Sequence, residues 1–246
     1  MLYIIQTALQ LGCVYSFVAL ALFLSYRILD IADLTTDGCF VLGMAVSVSC
    51  CAGGHPFVGV ILGMIAGGCA GCVTAILQTR LGVPSILAGI VTNTGLYTIN
   101  LMAMGWSSNI SLLKNETIFS LFKKTNIGGA WNAIILVGMI ALCAMVLMKW
   151  FLSTRLGLSI RATGDNRDMV SASSINPRFT ILVGLVVANM FTGLSGALAG
   201  QLQKSADINA GSGIVTIGLA TLIIGETLIQ GRKSIGRNIC ACLVGN

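Results

Sequence analysis

Asp30-Ile-Ala-Asp33-Leu-Thr35-Thr36-Asp37-Gly38-Cys-Phe40-Val-Leu-Gly43-Met-Ala45 decides how this chain is read. Three acids, two threonines and a glycine stand directly against an apolar run. Asp, Thr and Gly are residues that start helices, because they cap or expose the first free N–H groups. A second stretch resembles it: Ala206-Asp207-Ile-Asn209-Ala-Gly211-Ser212-Gly213-Ile-Val-Thr-Ile-Gly218-Leu-Ala220. Both contain G-x-x-x-x-G-x-A, at Gly38/Gly43/Ala45 and at Gly213/Gly218/Ala220, and both follow a polar turn. Two such starts entering a membrane from opposite sides are the mark of an inverted repeat. With 30 glycines in the chain, the same match also arises by chance.

The composition around these stretches defines the class. Of 246 residues, 56% are hydrophobic and only 9% charged, where soluble proteins carry about 25%. So few charges cannot cover a water-soluble body. A soluble enzyme, a disordered chain and a secreted disulfide scaffold are excluded. Nucleic-acid binding is not expected, because the net charge of +6 is dispersed over short loops. What remains is an all-α, polytopic membrane protein in one domain, residues 1–246, in contact with lipid.

Apolar runs near 20 residues mark the spans. We read helices over 2–26, 37–52, 57–79, 84–104, 130–152, 179–202 and 213–230, about seven full spans. An eighth begins near 238 and is cut off at Asn246, so a fragment is expected. The first run is long enough to span and lacks the marks of a cleavable signal peptide. Ten basic residues fall on one side of this alternating map: Arg27, Arg80, Lys149, Arg155, Arg161, Arg167, Arg178, Arg232, Lys233 and Arg237. Four fall on the other: Lys114, Lys123, Lys124 and Lys204. The excess places the 153–178 loop in the cytoplasm and the N-terminus outside. Trp106 and Trp131 at helix ends fit an interfacial aromatic belt.

Gly59, Gly63, Gly67 and Gly71 recur every four residues, a stripe against which another backbone can pack. Gly193, Gly196, Ala197 and Gly200 repeat the device. Most of the nine cysteines lie in apolar runs; Cys69-x-x-Cys72 has no second pair and reads as small packing residues. One histidine, His55, in a Gly-Gly-His-Pro turn builds no metal site.

Polar residues inside spans are candidate function. A helix starting within the membrane offers unpaired N–H groups to a carboxylate or other polar group. Thr35, Thr36, Asp37, Gly38, Ser212 and Gly213 are the candidate substrate-pathway residues at the two starts; surface capping is the other reading. Asn93 on the fourth helix and Asn189 on the sixth are expected to line the same cavity, or to bond helices together. Thr92, Thr94, Asn100 and Thr192 are further polar residues in spans. Glu226 lies five residues before Gly231-Arg232-Lys233 and is expected to pair at the cytoplasmic interface.

In the loop, Asp165 as N-cap and Pro177 as breaker predict one short helix over 166–173. Its Met169, Val170 and Ala172 would fill a groove on a partner; a solvated surface helix is the alternative. Here the chain becomes recognisable. Gly157-x-x-x-Arg161-Ala162-Thr163-Gly164-Asp165-Asn166, followed by Ser174-Ile175-Asn176, resembles the coupling loop of permease subunits in the branched-chain amino acid/ribose class of bacterial ABC importers. Leu34-Thr-Thr-Asp-Gly-x-Phe-x-Leu-Gly-x-Ala is similar to the second-helix start of a subgroup linked to aromatic or hydrophobic amino acids. The resemblance covers essentially the whole chain. Asp168-Met-Val-Ser-Ala-Ser departs from it, being more polar than usual there, and the final helix is missing.

The resemblance implies an inner-membrane permease importing a small solute, an amino acid in the first instance. Two copies would form the pathway. An ATPase subunit would grip the loop through Arg161, Gly164, Asp165, Asn166, Arg167, Met169 and Ala172. An extracytoplasmic binding protein would deliver substrate. No cofactor is expected on this chain, with ATP held by the partner subunit: Gly225-to-Gly231-Arg-Lys233-Ser234 misses the spacing of a phosphate-binding loop and follows a membrane helix. A nucleoside, purine or vitamin-like solute is the other substrate reading. An ion-coupled secondary transporter is the other transporter class, but it needs a deep intramembrane acid.

Overall fold

A computed structural model describes residues 2–113, 115–124, 131–228 and 245. Ten α-helices and a two-stranded sheet lie among them: α1 (Leu2–Leu22), α2 (Thr36–Ala52), α3 (Pro56–Thr79), α4 (Ser85–Ala103), β1 (Asn109–Ser111), α5 (Ile118–Lys124), α6 (Asn132–Ser153), α7 (Arg155–Asp165), α8 (Arg167–Ala172), α9 (Pro177–Gln203), β2 (Ser205–Asp207) and α10 (Ile214–Leu228). Five are long and apolar enough to cross a membrane: Ile4–Ile28, Pro56–Thr79, Ser85–Ala103, Asn132–Ser153 and Pro177–Gln203. Thr36–Ala52 and Ile214–Leu228 are apolar but shorter. They are the two helices whose starts are polar. The expected eighth helix and Arg232, Lys233 and Arg237 lie outside the described residues.

The core is a packed trio, α2, α3 and α9, with α1 against α9. Small residues make it possible. A Cβ added at Gly63 would sit 2.8 Å from the Gly43 carbonyl, and one at Gly59 would sit 2.8 Å from that of Ser47. Gly67 and Gly193 face each other, Cβ to Cα, at 3.0 Å, and Gly71 meets the Leu185 carbonyl at 2.8 Å. The α3 stripe therefore touches backbone along its whole length, facing α2 first and α9 next, and such close approach stabilises helices that gain nothing from burial in lipid. α4 flanks α2, while α6 and α10 flank α1.

Helix ends follow the local chemistry. Pro56 and Pro177 occupy the first turns of α3 and α9, where a missing N–H costs nothing. Asn176 caps α9, its side chain accepting from the Arg178 N–H at 3.0 Å. α1 does not end cleanly: Phe23–Ile28 widens into a π-helix, a form found at functional sites. The chain then crosses to α2 through a buried irregular segment.

One reading of the loops is corrected. The 153–178 loop holds two helices, not one. α7 occupies Arg155–Asp165, capped by Thr154, because Gly157, Ile160 and Thr163 bury one face against the bundle. Asp165 is thus the last residue of α7, and Asn166 is the N-cap of α8, accepting from the Asp168 and Met169 N–H groups at 3.0 Å each. At the other end of the bundle, the polar 109–126 stretch contains β1 and α5. β1 pairs antiparallel with β2, Ile110 opposite Ala206.

Candidate functional site

The two polar helix starts meet. Asp37, in the first turn of α2, turns its carboxylate on the first turn of α10. Oδ1 accepts from the Val215 N–H at 2.9 Å and Oδ2 from the Gly213 N–H at 3.4 Å. A carboxylate at a helix start satisfies orphan donors and complements the dipole. Gly213 makes the turn with φ +84°, which favours glycine. This contact brings the two starts together instead of leaving them at opposite ends of the bundle. The level is deep. A Cβ on Gly38 would sit 3.0 Å from Leu96 Cδ1 and against Asn93 Oδ1, and both residues occupy the middle of α4.

A cavity of about 350 Å³ opens at this junction. Asp37, Gly38 and Val41 supply one wall, Asn93, Thr94, Tyr97 and Asn100 a second, and Asn209, Gly211 and Ser212 a third. Asn100 donates from Nδ2 to the Gly38 carbonyl at 3.2 Å, which holds the α2 start against α4. Its Oδ1 is buried without a partner. The described lining includes one carboxylate and no cation. Such a wall favours amines and hydroxyls over anions.

Asp37, Gly38, Asn93 and Ser212 of the predicted pathway residues line this cavity, with Gly213 beside them. Thr35, Thr36 and Asn189 do not. Asn189 donates from Nδ2 to Asp33 Oδ2 at 2.7 Å, in a separate buried knot. Asp33 Oδ1 accepts from the Thr35 N–H at 2.9 Å, Thr35 Oγ1 meets Thr74 Oγ1 at 2.8 Å, and Thr36 Oγ1 donates to the Asp33 carbonyl at 3.1 Å. Thr35, Thr36 and Asn189 are at most 2% exposed. This knot pins the irregular α1–α2 segment between α3 and α9; Asn189 bonds α9 to that segment and does not line the cavity. Asn189→Ala leaves a buried carboxylate oxygen unpaired, at a cost of about 1–3 kcal/mol. A lowered unfolding midpoint of the detergent-solubilised protein checks this; an unchanged midpoint contradicts it.

Tyr97 and Asn209 are cavity residues the sequence did not single out. A lone Tyr or Asn carries no positional signal; only the approach of α4 to the 208–212 segment gives them a role. Glu226 is paired, its Oε1 3.0 Å from Arg27 Nε in the π-helix that follows α1. At the α7/α8 end, Met169 is 70% exposed, whereas Val170 is 4% exposed and packs inward. Val170 is therefore unavailable to a partner groove. Gly164 packs on the Ile28 carbonyl, and Arg161 is half-buried; Asp165, Asn166, Arg167 and Ala172 are exposed.

Several apolar spans around two opposed helix starts and a polar cavity define a multi-pass transport subunit. The chain belongs to the family described as branched-chain amino acid transport system / permease component, which matches residues 4–245. It is 32% identical, over 95% of its length and 76% of the relative's, to a protein named tyrosine transport system permease protein of Clostridioides difficile. It is 33% identical to an uncharacterized protein of Rickettsia prowazekii, over 98% of this chain and 85% of that one. A D-allose transport system permease protein of Escherichia coli is 29% identical over 82% of this chain and 60% of that one. No solved structure matches. The chain is thus an ABC transport permease component.

Proposed function

We propose that this permease conducts a small amine-bearing solute, an amino acid, through the cavity where α2 and α10 start. One observation carries the reading: Asp37 bridges the two helix starts while facing a cavity whose described lining has no cation. The carboxylate and the spare Asn100 Oδ1 would receive the ammonium group. The relative named for tyrosine transport agrees with this chemistry. Relatives named for allose and ribose favour a second reading, a sugar held by its hydroxyls against Asn93, Asn100 and Asn209.

In this reading the N-terminus is extracytoplasmic and α7 and α8 are cytoplasmic, in a bacterial inner membrane, following the excess of basic residues at that end. Two copies face each other along α4, whose Ile86, Ile90 and Val91 are exposed. An ATPase subunit docks at α8, and a binding protein delivers solute at the β1–β2 end. Uptake of labelled tyrosine and labelled allose into proteoliposomes holding the permease, its ATPase and its binding protein tests the proposal. ATP-dependent tyrosine uptake supports it; allose uptake alone selects the second reading.

Met169→Glu tests the docking element. It places a carboxylate in the apolar contact, and an unpaired buried charge costs several kcal/mol. ATPase affinity is expected to fall at least about tenfold, with the spans still folded. Undiminished co-purification would contradict docking at α8.

A further inference from the structure

We propose that the α7/α8 end carries a binding site for a phosphate-type anion, in the cavity between the α3–α4 turn and the start of α9. The site is separate from the solute cavity and does not depend on which solute is carried.

The cavity measures about 490 Å³. Gln78, Pro84 and Ser85 form one side, and Arg167 and Arg178 the other. Neither guanidinium has an ion pair among the described residues. The chain has eight acids, and few remain to neutralise them. Asp33, Asp37 and Glu226 are engaged elsewhere. Asp207 in β2 and Glu116 before α5 belong to the opposite end of the bundle. Asp30, Asp165 and Asp168 are exposed and pair with neither arginine. Residues 229–246, outside the described chain but for Gly245, add Arg232, Lys233 and Arg237 and no acid.

Two further features border the same space. Gln78 Nε2 is buried without an acceptor. A buried amide donor left unpaired is unfavourable, so a ligand oxygen at that position would remove a standing cost. α4 opens on Pro84 with no side chain capping its first N–H groups, which leaves free donors at a positive helix end. The described groups are thus two guanidinium forks, an orphan amide and an uncapped helix start: donors with no carboxylate among the lining residues. Guanidinium forks match the paired oxygens of a phosphate. Because Arg167 is the first residue of α8 and Arg178 lies in the first turn of α9, an occupied site ties α8 to the α3–α4 turn.

A phosphate reaches this place as a lipid headgroup or as a dissolved anion, and the test separates the two. The full chain in phosphatidylcholine nanodiscs is titrated with short-chain phosphatidylglycerol and, separately, with inorganic phosphate at constant ionic strength. The unfolding midpoint is read. A saturable rise is expected with at least one of them: with the lipid alone for a headgroup site, with phosphate as well for a dissolved anion. The double variant Arg167→Gln/Arg178→Gln is expected to raise the half-saturating concentration at least about tenfold, the equivalent of one lost charged contact. Arg155→Gln, on the same end but outside the cavity, is expected to respond as wild type. Should the double variant not fold, Gln78→Leu in the same titration is expected to weaken the response several-fold. No saturable rise with either probe, a wild-type response from the arginine or Gln78 variants, or equal weakening by Arg155→Gln would overturn the site.

Discussion

Asp37→Ala is expected to abolish solute uptake while the protein still inserts. The carboxylate is held by two N–H groups of a helix start on another part of the chain, and it forms a wall of the cavity. Removing it frees the α10 start and deletes the charge facing the solute. Losing an N-cap costs about 0.5–2 kcal/mol, and hydrogen bonds to a charged group are each worth about 1.5–3 kcal/mol. Transport passing through that junction would fall by on the order of a hundredfold or more. Asp37→Asn keeps the shape and one acceptor but turns an amide donor toward an N–H, so an intermediate loss is expected. Uptake into proteoliposomes measures both. Wild-type rates from Asp37→Ala would remove this residue from the pathway.

Gly43→Val is expected to cost the folded protein itself. A Cβ on Gly43 would collide with the Gly193 carbonyl, and Gly193 in turn is wedged against Gly63 and Gly67. The opposing atoms are backbone and cannot rotate away, so α2 and α9 must separate. Overpacking usually costs about 1–3 kcal/mol, and more where neighbours cannot yield. Gly95→Ala is the contrast: nothing lies within 4 Å of a Cβ there, and removing a mid-helix glycine is worth up to about 1 kcal/mol of stability. Monodisperse yield and unfolding midpoint in detergent should fall for the first and hold or rise for the second. A well-folded Gly43→Val protein would contradict the backbone contact.

What the sequence made legible follows from periodicity and from end chemistry. The α3 glycine stripe was readable because four-residue spacing gathers small residues on one helix face, where another backbone can approach. Its partners were not readable, since Gly43 and Gly193 become neighbours only through the crossing of α2 and α9. The polar starts at Asp37 and Gly213 stood out because acids and glycines interrupt apolar runs. That they would hydrogen-bond directly, Asp37 to Val215, depends on packing 178 residues apart. Asn189 and Asn93 looked alike in sequence, each an amide in a span. Only the position of Asp33, held in the α1–α2 segment, sends Asn189 to the buried knot. α7 was missed because its short, weakly apolar stretch has no spanning signal; its helix follows from the Thr154 cap and from burial of Ile160. The β1–β2 pair is three residues long on each side, below what alternation can reveal.

The central claim is that the α4 wall and the α10 start enclose the path of the solute. Asn93→Cys and Ser212→Cys, introduced together into a cysteine-free version of the protein, test it most directly. Both positions line the one cavity. A short bis-maleimide applied to the membrane-embedded protein is predicted to link them and to stop ATP-driven uptake, whereas each single cysteine treated alike is predicted to form no link. Failure to cross-link, or full uptake by the linked protein, would contradict the account.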